Sequence, residues 1–335
     1  MEPARTAIRA VAGTAAELYS RSASPSRHRN FIEGMCRQPW YSVVMPTRIT
    51  VLGSANMDLV VSVDRAPQLG ETVTGTAFWT MPGGKGANQA LAAARVGGEV
   101  RFAGAVGDDA HGAQIRALLT AAGIDVSALD KAAAPTGTAH ITVDGSGENS
   151  IVVVPGANGT VQALSDRHRA AIAGADVLLL QLELPMAAVV EGARCAHEQG
   201  VAVLLTPAPP VPLPVALLEA VDLLVPNEHE AAALNLSPVE HRDLLVTLGA
   251  AGARYERHGE PPLIVPAFEV AAVDTTGAGD AFVGAFAVAR DEHANLDGAL
   301  RWASAAAALS VQRFGASASL PDRGDIEAFL DEHGG

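Results

Sequence analysis

The densest chemical signal in the chain is Asp274-Thr275-Thr276-Gly277-Ala278-Gly279-Asp280, which runs directly into Ala281-Phe282-Val283-Gly284-Ala285-Phe286-Ala287-Val288-Ala289. Glycines at 277 and 279 permit a tight turn, and the apolar run behind them, with Phe282 and Phe286 four apart, has helical spacing. A glycine turn opening a buried helix points the N–H groups of Gly277, Ala278 and Gly279 outward at the positive end of the helix dipole. That environment suits a phosphate or a developing oxyanion. Asp280 stands in the same mouth. It is either a cap of the helix or a general base that takes a proton from an attacking hydroxyl as a phosphoryl group arrives.

A second cluster, Pro82-Gly83-Gly84-Lys85-Gly86-Ala87-Asn88-Gln89-Ala90, fits neither of two familiar phosphate loops. Walker A requires Ser or Thr after Gly-Lys, and a dinucleotide fingerprint requires glycine where Gln89 stands. Gly84, Lys85, Gly86 and Ala87 at the start of a small-residue helix let backbone approach a ligand, and Asn88 offers both a donor and an acceptor. Close packing of helix on sheet is the other explanation. Asn56 and Asp58 follow the first strand at its C-terminal end, where ligands bind in open parallel sheets, and Glu183 follows a later strand in the same way. Asn227 and Glu230 open a helix on one face, a spacing that favours a capping pair and also suits water-coordinated magnesium. Thr247-Leu248-Gly249-Ala250-Ala251-Gly252 reads as a turn whose small residues would let a base or phosphates lie against backbone.

These groups are positioned by alternating strands and helices. Strands are predicted at 48–53, 59–63, 71–80, 100–105, 136–143, 149–154, 176–181, 201–206, 221–225 and 243–249. Helices are predicted at 88–96, 111–122, 161–172, 185–199, from 227, behind Gly279, and at 297–312 and 322–330. The fold class is therefore α/β, with a doubly wound, mostly parallel sheet. Asp144-Gly145-Ser146-Gly147-Glu148 joins two of the strands as a hairpin, which interrupts the alternation. With the segments near 55–63 and 71–80, the hairpin strands near 136–143 and 149–155 are expected to form a small antiparallel β lid.

The 335 residues are 49% apolar and 18% charged, and carry a formal net charge of -14, which disfavours a nucleic-acid surface. Apolar runs such as Val177 to Leu182 end in polar residues well before membrane-spanning length. Two isolated cysteines, Cys36 and Cys195, make no disulfide framework and suit a reducing, cytoplasmic setting. Residues 1–44 hold Arg5, Arg9, Arg21, Arg27, Arg29 and Arg37 against Glu2, Glu17 and Glu33, unlike the acidic remainder. The stretch faintly resembles a transit peptide. The plainer expectation is a disordered tail, or a misassigned start with Met45 as the natural first residue.

Together these clusters resemble the ribokinase family of sugar kinases over about residues 48 to 331. Gly83 to Ala90 and Asp274 to Asp280 stand as its two signature regions, supported by Val51 to Asp58, Gly70 to Gly75, Gly156-Ala157-Asn158, Gln181-Leu182-Glu183 and Pro226-Asn227-Glu228. The resemblance implies a Rossmann-like domain over residues 45–335 with a β lid that often serves as a homodimer interface. It also implies ATP-dependent phosphorylation of the ribose 5-hydroxyl. On that basis Asn56, Asp58, Gly84, Lys85, Gly86, Ala87, Asn88 and Glu183 contact the sugar, and Asp280 is the base beside an anion hole at Gly277–Gly279. Asn227, Thr247 to Gly252, Gly279 and Ser304 meet the nucleotide. Asn227 and Glu230 act indirectly on Mg2+. Asp274, Thr276, Ser310, Arg313, Gly315 and Ser319 hold a monovalent cation, K+ by the family pattern. Another sugar or nucleoside (deoxyribose, fructose, tagatose) as substrate, or a sugar-binding protein without turnover, are the competing readings.

Three departures from the family pattern stand out. Ser237 to Arg242 replaces a helix, so the nucleotide half is expected to be thinner, with apolar sheet surface exposed or covered by another element. Thr206 stands where Asn or Asp is usual, and Ser304 where His or Asn is frequent.

Overall fold

Short Val- and Leu-rich runs bounded by turn residues become strands buried on both faces, as a parallel sheet sandwiched between helices requires. The computed structural model describes residues 45–293 and 295–334; the expectations for residues 1–44 lie outside the described residues. From the N-terminus come β1 (Arg48–Leu52), β2 (Asn56–Ser62), β3 (Ala77–Gly83), α1 (Lys85–Arg95), β4 (Glu99–Gly107), α2 (Ala110–Ala121) and β5 (Leu129–Ala132). The hairpin β6 (Gly137–Val143) and β7 (Asn149–Val154) follows, then α3 (Asp166–Ala173), β8 (Val177–Leu180), α4 (Met186–His197), β9 (Ala202–Leu205) and α5 (Val215–Leu218). The chain continues through β10 (Leu223–Leu224), α6 (Glu228–Ala233), β11 (Asp243–Thr247), β12 (Ala253–Glu256) and β13 (Leu263–Val265). It closes with α7 (Ala278–Glu292), α8 (Leu296–Ser310), α9 (Ala316–Ser319) and α10 (Arg323–Glu332).

Nine strands form the main sheet in the order β13-β12-β11-β10-β9-β8-β1-β4-β5. The run from β5 to β11 is parallel, and β12 and β13 add antiparallel at one edge. Alternation along each strand decides the layers. Val177 and Leu179 of β8 join the core shared with α1, α2, α7, α8 and α10, while Leu178 and Leu180 join the core shared with α3, α4 and α5. The sheet is thus wound on both faces, as expected.

The lid is a separate four-stranded sheet in the order β3-β2-β6-β7. The β2–β3 and β6–β7 pairs are antiparallel, and β2 with β6 is parallel. Its second segment lies at Ala77–Gly83 and not at 71–80, because Glu71 takes the Arg65 guanidinium and the Gln68 N–H (3.0 Å) into a loop. Helix α1 starts at Lys85, three residues before the expected Asn88, since Gly84 caps it at φ 91°, a conformation open to glycine. Helix α3 starts at Asp166 and not near Val161, because Ser165 and His168 form a capping box there. The strands β5, β12 and β13 and the single-turn helices α5 and α9 were not foreseen.

The shortened segment 237–242 leaves no bare sheet. Val239 and Arg242 close a tight turn, and the Arg242 guanidinium donates to the Leu218 carbonyl at 2.7 Å. Leu244 and Val246 of β11 stay buried under Leu217, Leu218, Ala231, Leu236 and Leu248.

Candidate active site

Strand β2 begins where Asn158 reaches in from the Gly156–Thr160 turn. The Asn158 amide donates to Asn56 Oδ1 at 2.7 Å while its own Oδ1 accepts the Ala55 N–H at 3.0 Å, which fixes the buried Asn56 side chain at the strand's entry. Two residues on, Asp58 lies on the same side of the strand. From the other flank, Glu183 accepts the Ser54 hydroxyl and the Lys85 N–H (3.2 Å), drawing the first turn of α1 against the end of β1. Ala87 N–H completes the seam on the Ser54 carbonyl at 2.9 Å.

Asp280 closes this pocket from α7. The residue is 8% exposed, and its carboxylate accepts two side-chain amides, Asn88 Nδ2 on Oδ2 at 3.1 Å and Gln89 Nε2 on Oδ1 at 3.0 Å. The acid therefore sits against Asn88, and the carboxylates of Asp58 and Glu183 are close enough to act on it and on each other. Burial pushes the Asp280 carboxyl up to about 6, held back by Lys85 and the two amides and helped by Glu183. Asp58 is pushed up to about 7, first by burial and then by Glu183 and Asp280, with Lys85 opposing. Burial alone would lower Lys85, but Asp280, Glu183, Glu230 and Asp58 together carry it above its ordinary value. One cation thus serves a cluster of carboxylates. Asn88 Oδ1 has no partner within the protein although it is buried, so a ligand donor has a place waiting.

On the far side of the same helix mouth lies a cavity of about 630 Å3, in the size range of small-molecule sites. Gly279, Ala278 and Thr275 form its floor beside Asp280, and Asn227, Thr247, Gly249, Ala250, Gly252, Phe282 and Ser304 are among its walls. Ser304 Oγ is buried without a partner. Two members of the expected nucleotide loop do not line it: Leu248 packs into the core, and the Ala251 N–H closes the turn onto the Leu248 carbonyl. Gly277 takes φ 78°, the left-handed turn anticipated from its type. Of the three N–H groups expected to face outward, that of Ala278 turns to the Thr275 carbonyl at 3.3 Å.

Asn227 and Glu230 form a reciprocal capping box on α6 (2.9 and 2.8 Å), as their spacing favoured. Glu230 still bears on Lys85 electrostatically, so its charge is felt at the site. Asp274 ties two loops together, accepting the Thr276 N–H and the Gly315 N–H, each at 2.9 Å. Ser310 and Ser319 turn their hydroxyls onto the Ala307 and Ala316 carbonyls, which leaves their oxygens able to accept. Arg313 sits 3.7 Å from Asp325. The segment carrying Gly315 also meets the lid: Phe314 packs on Trp79 with ring centroids 5.5 Å apart, and Ser317 donates to the Pro82 carbonyl at 2.9 Å.

Sequence reading gave no role to Ser54 or Gln89, and treated Asn158, Gln181 and Thr206 only as parts of a pattern. Their partners lie on other elements, 191 residues away for Gln89 and Asp280, so no local spacing reveals them.

The sequence model of the pfkB family carbohydrate kinases matches residues 46–323. A ribokinase of Bacillus subtilis is 43% identical over 294 residues, spanning 84% of this chain and 99% of that protein. A deoxyribokinase of Salmonella typhi is 34% identical over 302 residues, covering 84% of this chain and 98% of its own length. Among solved structures, Arabidopsis thaliana ribokinase complexed with ribose and ATP superposes with a TM-score of 0.79 at 36% identity, covering 85% of this chain and 99% of that one.

Proposed function

Because the chain belongs to the pfkB family of carbohydrate kinases, we propose that it transfers the γ-phosphoryl group of ATP to the 5-hydroxyl of D-ribose, giving ribose 5-phosphate and ADP. The observation that carries this reading is the position of Asp280. It is a buried carboxylate held by two amides beside the polar side chains of Asp58, Lys85, Asn88 and Glu183, and its neighbour Gly279 lines the cavity.

In this reading the sugar lies among Asn56, Asp58, Lys85, Asn88 and Glu183, where Asn88 Oδ1 gains the donor it lacks. Asp280 takes the proton of the 5-hydroxyl as that oxygen attacks. A base near 6 is ionised at neutral pH yet close enough to it to accept a proton in the transition state. The Gly277–Asp280 turn faces the charge that develops on the transferring group, and most of the catalysis is positioning and electrostatics. The nucleotide occupies the cavity, its base near Ser304 and its phosphates over Gly249, Ala250, Gly252 and Gly279.

Mg2+ fits a water-mediated place by Asn227 and Glu230, since the capping box leaves one Glu230 oxygen unused; there it would screen phosphate charge. A monovalent cation, K+ by family pattern, fits beside Asp274, whose carboxylate fixes the loops of Thr276 and Gly315. Backbone carbonyls there, with Ser310, Arg313 and Ser319 nearby, would hold it and stabilise the helix mouth. A homodimer through the lid is part of the proposal, supported by exposed apolar residues Ile151, Val152, Val153 and Val154 on its edge strand β7. The cytoplasmic setting rests on ATP as co-substrate and on the scarcity of cysteine.

A second reading, phosphorylation of 2-deoxyribose, is favoured by the deoxyribokinase relative. ADP release measured with ribose, deoxyribose, fructose, tagatose and nucleosides tests both. Highest kcat/KM on ribose is the expected result, and highest on deoxyribose selects the second reading. Silence on every sugar, alongside calorimetric sugar binding, would leave a binding protein.

A further inference from the structure

Gln89 is fully buried and bridges four elements, from α1 to the ends of β8 and β9 and the first turn of α7. Its Nε2 donates to Asp280 Oδ1 at 3.0 Å and to Thr206 Oγ1 at 3.2 Å, and its Oε1 accepts Gln181 Nε2 at 2.6 Å. Only one orientation of these amides works. An ionised carboxylate accepts and cannot donate, so the Gln89 nitrogen must face Asp280. Both of its protons are then spent, one on Asp280 and one on Thr206, and its carbonyl must face Gln181, which in turn must donate. Turning Gln89 over would set oxygen against the carboxylate and nitrogen against nitrogen. The row therefore runs in one direction, from the sheet into the acid.

The two oxygens of Asp280 are held in different ways. Oδ2 is held by Asn88, a residue of the sugar pocket whose remaining oxygen has no partner. Oδ1 is held by Gln89, which is fully buried and otherwise anchored to Gln181 and Thr206 at the strand ends. We propose that Gln89, fixed by Gln181 and Thr206, is a positioning residue for the phosphoryl-transfer reaction, which sets the plane and ionised state of Asp280 independently of bound sugar. Thr206 suits this task because it accepts the second Gln89 proton without adding a negative charge beside a crowd of carboxylates. The inference rests on the kinase reading above.

Gln89→Met keeps the length of the side chain and removes both polar ends; Thr206→Val keeps shape and removes the acceptor. The assay is steady-state ADP release across pH 5 to 9, with ribose and ATP varied separately and melting followed in parallel. For Gln89→Met the expected result is a fall in kcat of roughly 10- to 100-fold with KM for ribose within about threefold of wild type. The acid limb of kcat should move to higher pH, because Asp280 loses a donor to its charged form while Asp58, Glu183 and Lys85, the other charges facing it, stay in place. Thr206→Val should move both quantities the same way by less, and it alone decides if Gln89→Met does not fold. Wild-type limbs in both folded variants, or a rise in KM at unchanged kcat, overturn the positioning role. Wild-type protein without turnover on any sugar overturns the kinase reading instead.

Discussion

Gly284 is where helix packing and chemistry meet. It lies on α7 one turn beyond Asp280, facing α1, and a Cβ there would stand 2.5 Å from Ala92 Cβ, 2.6 Å from the Gln89 carbonyl oxygen and 2.8 Å from the Ala93 nitrogen. Ordinary contact begins at 3.4 Å, so Gly284→Ala must part the helices by about 0.8 Å at the Gln89 carbonyl. The same two helices carry the Asn88 and Gln89 bonds to Asp280, at 3.1 and 3.0 Å. Adding that displacement takes both toward about 3.8–3.9 Å, beyond hydrogen-bonding range. Overpacking should cost about 1–3 kcal/mol of stability, and a base displaced by nearly 1 Å should lose about 100-fold in turnover. Gly324→Ala in α10 is the control, because a Cβ there meets nothing within 4 Å. ADP release with thermal unfolding reads both effects. Gly284→Ala that melts earlier yet turns over at the wild-type rate would refute the idea that this contact holds the base in register.

Further outcomes follow from the charges and edges of the fold. Asp58 is raised from 3.8 to about 7, so the folded state binds its proton more tightly than the unfolded chain, and stability falls as pH rises through that window. Asp58→Asn should therefore stabilise the ligand-free protein by on the order of 2 kcal/mol more at pH 8 than at pH 5, and raise KM for sugar; chemical unfolding at the two pH values checks the sign. Removing K+ should depress kcat, and Asp274→Ala, which frees the Thr276 and Gly315 loops, should require several-fold more K+ for half activation, read from a K+ titration of ADP release. Val152 is 65% exposed on the lid edge; wild type is expected to sediment as the proposed lid dimer and Val152→Asp as a monomer.

The sheet and its lid were legible because apolar strands, glycine turns and one hairpin each leave local marks. The glycine turn at 277 and the capping pair at Asn227 and Glu230 were legible for the same reason. Boundaries slipped where a short-range side-chain contact decides them: Glu71, bound to Arg65 and Gln68, keeps the residues before Ala77 in a loop, and the Ser165–His168 capping box delays α3. The helix missing before β11 left sheet surface either exposed or covered by another element, and Arg242 with the α5–α6 layer covers it, an outcome that depends on packing across elements. The family resemblance assigned Asn88 and Lys85 to the sugar and Asp280 as the base, but the hydrogen bond from Asn88 to Asp280 was not itself read from the sequence. Nor were Gln89, Gln181 and Thr206 placed there, since their types are ordinary for a helix and two strand ends and only the folded topology brings them to the acid.

The central claim is that Asp280 is the proton acceptor, and Asp280→Asn tests it most directly, with ribose binding followed by calorimetry and turnover by ADP release. Retained sugar binding is expected, with a loss of roughly 10²- to 10⁴-fold in kcat and no trace of the acid limb expected near pH 6 in wild type. Near-normal turnover in Asp280→Asn, or a wild-type limb that persists in it, would contradict the account.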